Sequence, residues 1–485
     1  MSRSARLWFQ WMLFVLFAAG SYTGHSQSDS IRILVLDRYL DQVRQHHPVA
    51  RQAALLQQEA DAVMLSARGG FDPKLQSDWG QKSFEGKNYF FTGESGFKIP
   101  TWYGIELKGQ FNVANGQFLN AEGTLPSAGQ AVAGISVPLL QGLAIDERRT
   151  ALFQARVFKD ANANERRQIL NDLLLDATKA YWEWAFTYQQ QRILAQAVDV
   201  ARFRLQAIRD SYQQGYKPAV DTLEALTQVQ IREVEWLEAG ITYQQARLQA
   251  SNFMWLDGEV PLEITDNLTP ALLTEQPFSG WNEEQILAWM QQLEGRHPDI
   301  LAYQFKNSQL ELDRRLKREK LKPQLNAEYN FLANGFDFTY GQNGVNSFPN
   351  NLLFQNYKWG LSFSMPLLLR KERGQLELAN LKIRDNQLKQ DQKIVEVSNK
   401  LKAYTAELQL LEQQIAQYTA VVNNYQSLLD AENDKLLYGK SSLFLVNARE
   451  NKLIEGRQKL AKLQAQFLKI RQSVRWAAGT LADEN

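Results

Sequence analysis

Two hydrophobic rhythms divide this chain. Between about residues 71 and 138, and again between about 324 and 366, apolar side chains recur at every second position, the period of a half-buried strand. Leu325, Ala327, Tyr329 and Phe331 alternate with more polar neighbours, as do Trp359, Leu361, Phe363 and Met365. In the first region Tyr103, Ile105, Leu107, Phe111 and Val113 share one predicted face, and Ala131, Ala133, Ile135 and Val137 form another such set. Trp79, Phe90, Trp102, Phe336 and Tyr357 distribute aromatics through the same segments. Amphipathic strands of this kind suit a membrane barrel with aromatic girdles, and they also suit a soluble sandwich with an aromatic core.

The second rhythm alternates spacings of three and four. Ile394, Val397, Leu401, Tyr404, Leu408, Leu411, Ile415, Tyr418, Val422, Tyr425 and Leu429 follow it without a miss. A sustained 3.5-residue repeat is a coiled-coil seam. Leu453, Leu460, Leu463, Phe467, Ile470 and Val474 continue it after Tyr438-Gly439-Lys440-Ser441-Ser442, so the two arms are predicted to fold back antiparallel. Gly215 and Pro218 mark a similar turn in the first half. From about Ile145 to Tyr212 there is no proline, and a helix of that extent reaches on the order of 100 Å at roughly 1.5 Å per residue. So long a hairpin has a narrow seam and little core, which predicts that hairpins of further copies complete it.

The halves restate each other. His47-Pro48 and Pro73 recur 250 positions later as His297-Pro298 and Pro323. Asp72-Pro73-Lys74-Leu75 is answered by Lys322-Pro323-Gln324-Leu325, and Ile135-Ser136-Val137-Pro138-Leu139-Leu140 by Phe363-Ser364-Met365-Pro366-Leu367-Leu368. The stretch Tyr212 to Gly215 answers Leu436 to Gly439. Landmarks kept in order define a duplicated unit, each copy reading helix, strands, long helix, glycine turn, long helix. The expected divisions are a first repeat at 28–256 with its hairpin at about 145–256, and a second at 282–485 with its hairpin at about 371–480. Between them, 257–281 carries Pro261, Pro270 and Pro277 and reads as a connecting equatorial segment of short strands or loops.

Charge and composition remove several functions. The 54 basic and 53 acidic residues nearly cancel, so no overall field recruits nucleic acid. There is no cysteine, which excludes disulfides, thiolate metal sites and a lipoprotein anchor. Arg3 and Arg6 precede an apolar run from Leu7 to Gly20, then small residues and a polar stretch. That order predicts a secretory signal peptide over 1–27, with a retained signal anchor as the alternative. No later stretch approaches an apolar membrane helix, so a membrane-resident mature chain would cross as a closed β-barrel. Of four histidines, His47 and His297 precede prolines at predicted helix starts, where capping or packing outweighs metal binding. No phosphate loop, dinucleotide fingerprint or nucleophile elbow is present. The expectation is therefore a conduit rather than an enzyme, with no cofactor. Arg314, Arg315, Lys317, Arg318, Lys320 and Lys322 precede a predicted strand and read as a solvated helix end or as a contact with lipid headgroups.

Taken together, these landmarks resemble the TolC-like outer-membrane efflux proteins over nearly the whole mature chain. The residues that carry the likeness are the duplicated His-Pro pairs, Asp72-Pro73, the two Pro-Leu-Leu strand exits, and Gly215-Tyr216-Lys217-Pro218-Ala219-Val220-Asp221. The resemblance implies a mainly α fold with membrane β-barrel strands: a homotrimer with a barrel through the outer membrane and an α-helical tunnel through the periplasm. It implies an exit duct for tripartite efflux or type I secretion, bound through a periplasmic adaptor protein to an inner-membrane transporter. A pore-less periplasmic coiled-coil scaffold or adaptor is the alternative. Two strands per unit, twelve per trimer, is the default; the longer first unit leaves Tyr89 to Ile99 open as an external loop or two further crossings.

Carried over by motif, the adaptor-docking tip comprises Gly215, Lys217 and Asp221 in the first unit and Gly439, Ser441 and Ser442 in the second. These glycines serve either the turn alone or the turn and docking. One departure stands out. Well-studied family members carry aspartates six and nine positions beyond the second tip glycine, where this chain has Leu445 and Ala448. The resemblance then implies a hydrophobic constriction there in place of an acidic ring. Glu450 and Asp434 are the acids nearby, with their facing open.

Overall fold

The computed structural model describes residues 32–335 and 356–483. The predicted signal peptide, His25 and Phe336 lie outside them. Among the described residues there are eight α-helices and ten strands. The chain enters through β1 (Arg32–Leu34) and passes into α1 (Leu36–His46) and α2 (Pro48–Gly69). Four strands follow: β2 (Lys74–Phe84), β3 (Lys87–Pro100), β4 (Glu106–Asn115) and β5 (Gln130–Pro138). The helical hairpin α3 (Glu147–Gln213) and α4 (Ala219–Ser251) completes the first half. Short strands β6 (Trp255–Leu256), β7 (Val260–Pro261) and β8 (Leu268–Pro270) lead to α5 (Glu283–Arg296) and α6 (Pro298–Glu319). Then come β9 (Gln324–Asn334), β10 (Tyr357–Ser364), α7 (Arg370–Leu437) and α8 (Leu443–Ala477).

The first half thus holds four long strands and the second two, which corrects the default of two in each. Tyr89 to Ile99 is not a loop but most of β3. Glu85 and Gly86 both take positive φ, 51° and 73°, closing β2 onto β3 by the two-residue geometry that twisted hairpins favour. Two residues assigned to a strand face, Tyr103 and Ile105, lie instead in the turn before β4. Thr101 donates through both its N–H and its hydroxyl to the Ile105 carbonyl at 2.8 Å, and Gly104 supplies φ +80°.

The helices form a layer four across. Near the strands the order is α2, α3, α6, α7; farther away it is α4, α3, α8, α7. At 67 and 68 residues, α3 and α7 each reach about 100 Å. Every position of the predicted α7 seam is buried or half-buried, as are Leu453, Leu460, Leu463, Phe467, Ile470 and Val474 on α8. The main core lies midway along the layer, where Tyr39, Tyr181, Trp184, Leu401 and Phe467 are almost fully enclosed.

The connecting segment is pinned to this core. Ile264 and Leu273 are buried, β1 pairs in parallel with β8, and the Trp281 indole donates to the Arg471 carbonyl at 3.1 Å. The Tyr181 hydroxyl donates to the Leu34 carbonyl at 2.7 Å and accepts from the Ala271 amide at 3.1 Å. Burial pushes this phenol up to about 12, so it remains a neutral tie between helix, N-terminal strand and connector.

Candidate functional site

At one end of the layer the six long strands form a single antiparallel sheet in the order β10-β9-β5-β4-β3-β2. Its register sorts the side chains. Phe363 pairs with Leu325, Tyr329 with Ile135, Ile135 with Leu107, Leu107 with Ile99, and Phe97 with Leu75. Because the strand period is two, these positions share one face. That face is mainly apolar, with Gln81, Asn115 and the Ser77–Ser95 hydroxyl pair as exceptions, and much of it is open: Leu75 is 84% exposed, Phe363 66% and Trp359 65%. The opposite face carries Asp78, Glu94, Lys108, Gln110, Asn112, Glu328 and Lys358. On it Lys108 reaches Glu328 at 2.9 Å, and Gly134 lies beneath with no room for a Cβ beside Asn330 and Lys108. Phe90, opposite Lys82, belongs to this polar face rather than to an aromatic girdle.

The far end of the layer is the tip. Gly215 and Gly439 turn the two hairpins at φ +78° and +70°, with open space where a Cβ would stand. Lys217 pairs with Asp221 at 3.6 Å. Ser442 caps α8 by accepting from the Leu445 amide, and the Ser441 hydroxyl donates to Glu432 at 2.5 Å. Both serines therefore have structural tasks.

Leu445 and Ala448 stand one turn apart on an exposed face of α8, away from buried Val446, Asn447 and Glu450. Glu450 is turned inward, 2.6 Å from Arg204 of α3, while Asp434 is exposed. The sequence reading missed an exposed apolar and aromatic cluster at this end: Tyr216, Val220, Leu437, Tyr438 and Phe444. Its signal was available as apolar residues beside a glycine turn with no buried position to fill.

His47 and His297 cap α2 and α6. Each Nδ1 accepts the amide two residues on, Val49 and Asp299 respectively, at 3.2 Å, and proline occupies the first helical turn. Burial lowers the pKa of both imidazoles; for His297 it falls to about 4, with Lys393 adding to the effect. A neutral imidazole is what a nitrogen acceptor at a cap requires. The basic run before β9 is largely matched by acids: Arg314 to Glu311, Lys317 to Asp313, Lys320 to Glu147 and Lys322 to Glu319. The described residues contain no grouping of His, Asp and Glu suited to a metal ion. Nor does any described helix have the length and apolarity to cross a membrane.

Residues 289–480 match the model of the family Outer membrane efflux protein. In its second half this chain is therefore similar to the outer membrane efflux proteins. The fold of outer-membrane channels extends across both halves. The crystal structure of the outer membrane protein VceC from Vibrio cholerae aligns at TM-score 0.61 and 14% identity, covering 92% of this chain and 96% of that one. The Campylobacter jejuni CmeC outer membrane channel aligns at TM-score 0.60 and 13% identity, covering 93% and 87%. The open state of the Neisseria gonorrhoeae MtrE outer membrane channel aligns at TM-score 0.63 and 13% identity, covering 92% and 89%. No curated protein matches the sequence significantly.

Proposed function

We propose that this chain is an outer membrane efflux protein and the exit duct of a tripartite efflux or type I secretion system, a passive conduit from periplasm to exterior. The observation that carries the reading is the two-faced sheet set on the end of a helical layer about 100 Å long. An apolar outer face fits lipid and a polar inner face fits water. The sheet ends in unpaired edges at β2 and β10, which hydrocarbon does not tolerate, and six strands are too few to close on themselves. Further copies supply the closure, three in the assembly that the resemblance implies.

The helical layer supports the same assembly. Along its outer edge α4 leaves Leu223, Ile231, Val234, Leu237 and Ile241 exposed, and the other edge leaves Leu381, Leu388 and Val395 exposed on α7. Apolar stripes at such spacings are coiled-coil faces without their partners. The tip lies in the periplasm and meets an adaptor protein, and through it an inner-membrane transporter. Gly215, Lys217, Asp221, Gly439, Ser441 and Ser442 shape that surface, and Tyr216, Tyr438 and Phe444 offer it apolar contact. Leu445 and Ala448 line a hydrophobic constriction just inside.

The test is the protein mass of the detergent-extracted particle, from light scattering with the detergent contribution removed. Three chains per particle is the expected result. A monodisperse, detergent-free monomer would overturn the duct and favour a pore-less periplasmic scaffold.

A further inference from the structure

We infer that all six long strands of each copy cross the bilayer, so that the closed trimer has an eighteen-stranded wall. In that wall β2 of one copy pairs antiparallel with β10 of the next. The inference rests on the trimeric duct reading and adds what the two extra strands do.

The hairpin β3–β4 is in phase with the rest of the sheet. Phe91, Phe97, Ile99, Leu107, Phe111 and Val113 fall on the common apolar face, and Glu94 and Gln110, 2.6 Å apart, on the common polar face, which Phe90 also joins. Packing across β2, β3 and β4 is close: the Trp79 indole lies over Gly93 and the Phe97 ring over Gly109, each occupying the place of a Cβ. Aromatic cover of strand glycines is a device that pins the register of paired strands.

The turn between β3 and β4 returns to the helical end. Trp102 stacks on Phe71, just before β2, with centroids 4.3 Å apart. Arg148, in the first turn of α3, reaches Glu106 at 2.8 Å. The hairpin therefore runs the full height of the sheet, with its upper turns on the side away from the helices.

Order and width agree with a wall. The helices α2, α3, α6 and α7 lie side by side in that order, and the strands joined to them, β2, β5, β9 and β10, keep the same order in the sheet. From β10 to β2 the lower strand ends climb by six residues over five steps, which gives a tilt near 40° at about 3.3 Å rise and 4.8 Å spacing. At that tilt six strands span about 38 Å of circumference, comparable with about 40 Å for four helices packed about 10 Å apart. Four strands at the same tilt would span about 25 Å. Since β2 leaves the helices and β10 returns to them, the two free edges meet antiparallel. Barrel diameter grows roughly in proportion to strand number, so the outlet is about one and a half times as wide as a twelve-stranded one.

The absence of cysteine makes the test direct. Single variants Glu94→Cys and Gln110→Cys sample the polar face of the hairpin, and Phe97→Cys and Val113→Cys the apolar face, each in proteoliposomes. A membrane-impermeant maleimide is expected to label the first pair at least tenfold faster. A lipophilic fluorophore on the second pair is expected to be quenched by brominated acyl chains. Equal labelling on both faces without quenching places the hairpin outside the bilayer and overturns the strand count. If that occurs while light scattering still gives three chains, only this inference falls; a monomer removes the duct itself. Should a variant fail to assemble, a density map of the unmodified particle decides, eighteen strands supporting the inference and twelve overturning it.

Discussion

The middle of the helical layer and its tip are built from the same helices by different means. The middle is a continuous hydrophobic core in which Trp184, Tyr181 and Tyr39 pack edge to face or tilted, and Leu401 and Phe467 close the opposite side. The tip has two small clusters, one around Leu205 and Val229 and one around Leu429 and Val446. Polar ties join the two hairpins there, Arg204 to Glu450 and Asn447 and Arg232 to Asn451, and others lie within one hairpin, Arg232 to Glu235 and Ser441 to Glu432. Apolar burial is non-directional and adds with area, so the middle resists any relative movement of its helices. A directional tie is lost once its partners separate, so parting the helices at the tip loses less apolar contact than parting them at the middle.

The largest expected effect breaks the middle. Trp184→Ala removes a fully enclosed ring, and cavity-forming substitutions of that size cost about 3–5 kcal/mol. Chemical denaturation of the assembled particle should move to lower denaturant, and tip substitutions should not reproduce the whole shift.

Next comes the tip. Arg204→Ala leaves the Glu450 carboxylate enclosed without its partner, a loss of up to about 3 kcal/mol after allowance for partial exposure. Hydrogen exchange should rise around 204–232 and 443–455 while amides near Trp184 stay protected. Replacing Arg204 and Glu450 together by leucine should restore protection at the tip, since an apolar pair needs no counter-charge. Unchanged exchange in Arg204→Ala would remove the distinction between the two regions.

A pH scan sharpens the comparison from the other side. His297 sits beside the middle with its pKa lowered to about 4, below the usual imidazole value of 6.5. The unfolded chain takes up the proton first, so this group's contribution to stability is constant above about pH 6.5 and falls as pH drops from there towards 4. Thermal melting at pH 7.5 and pH 4.5 should show a loss in the wild type that His297→Asn reduces, because asparagine caps without titrating.

The smallest effect belongs to the turns. Gly215→Ala and Gly439→Ala meet no neighbour, so the penalty is the left-handed backbone alone, about 1 kcal/mol each. It should appear as faster local proteolysis at the tip with no change in overall melting.

The long helices were legible because their period was. The α7 seam runs from Ile394 to Leu429 in alternating threes and fours, and each of those residues is buried or half-buried where the sequence placed it. The caps at His47 and His297 were readable for a similar reason, since an acceptor before proline specifies a local geometry. Strand faces were legible where alternation was strict, as from Leu325 to Phe331. They failed at Tyr103 and Ile105, where alternation continued past the strand into a turn closed by Thr101.

What the sequence determined by itself was therefore periodic or local: two hairpins of great length, their glycine turns, the capped helix starts, and a likeness between the halves. Hydrophobic spacing encodes which face of a helix or strand is apolar, and a turn needs only its own residues. The tertiary structure alone decided what spacing cannot encode. It made β3 a strand of the sheet rather than a loop, because only pairing with both β2 and β4 satisfies its backbone and brings its apolar face into line with theirs. It turned Glu450 inward onto Arg204, because a carboxylate's direction depends on the partner that the fold brings to it. It also left α4 and α7 with uncovered apolar stripes, because one layer four helices wide has no second layer of its own to cover them.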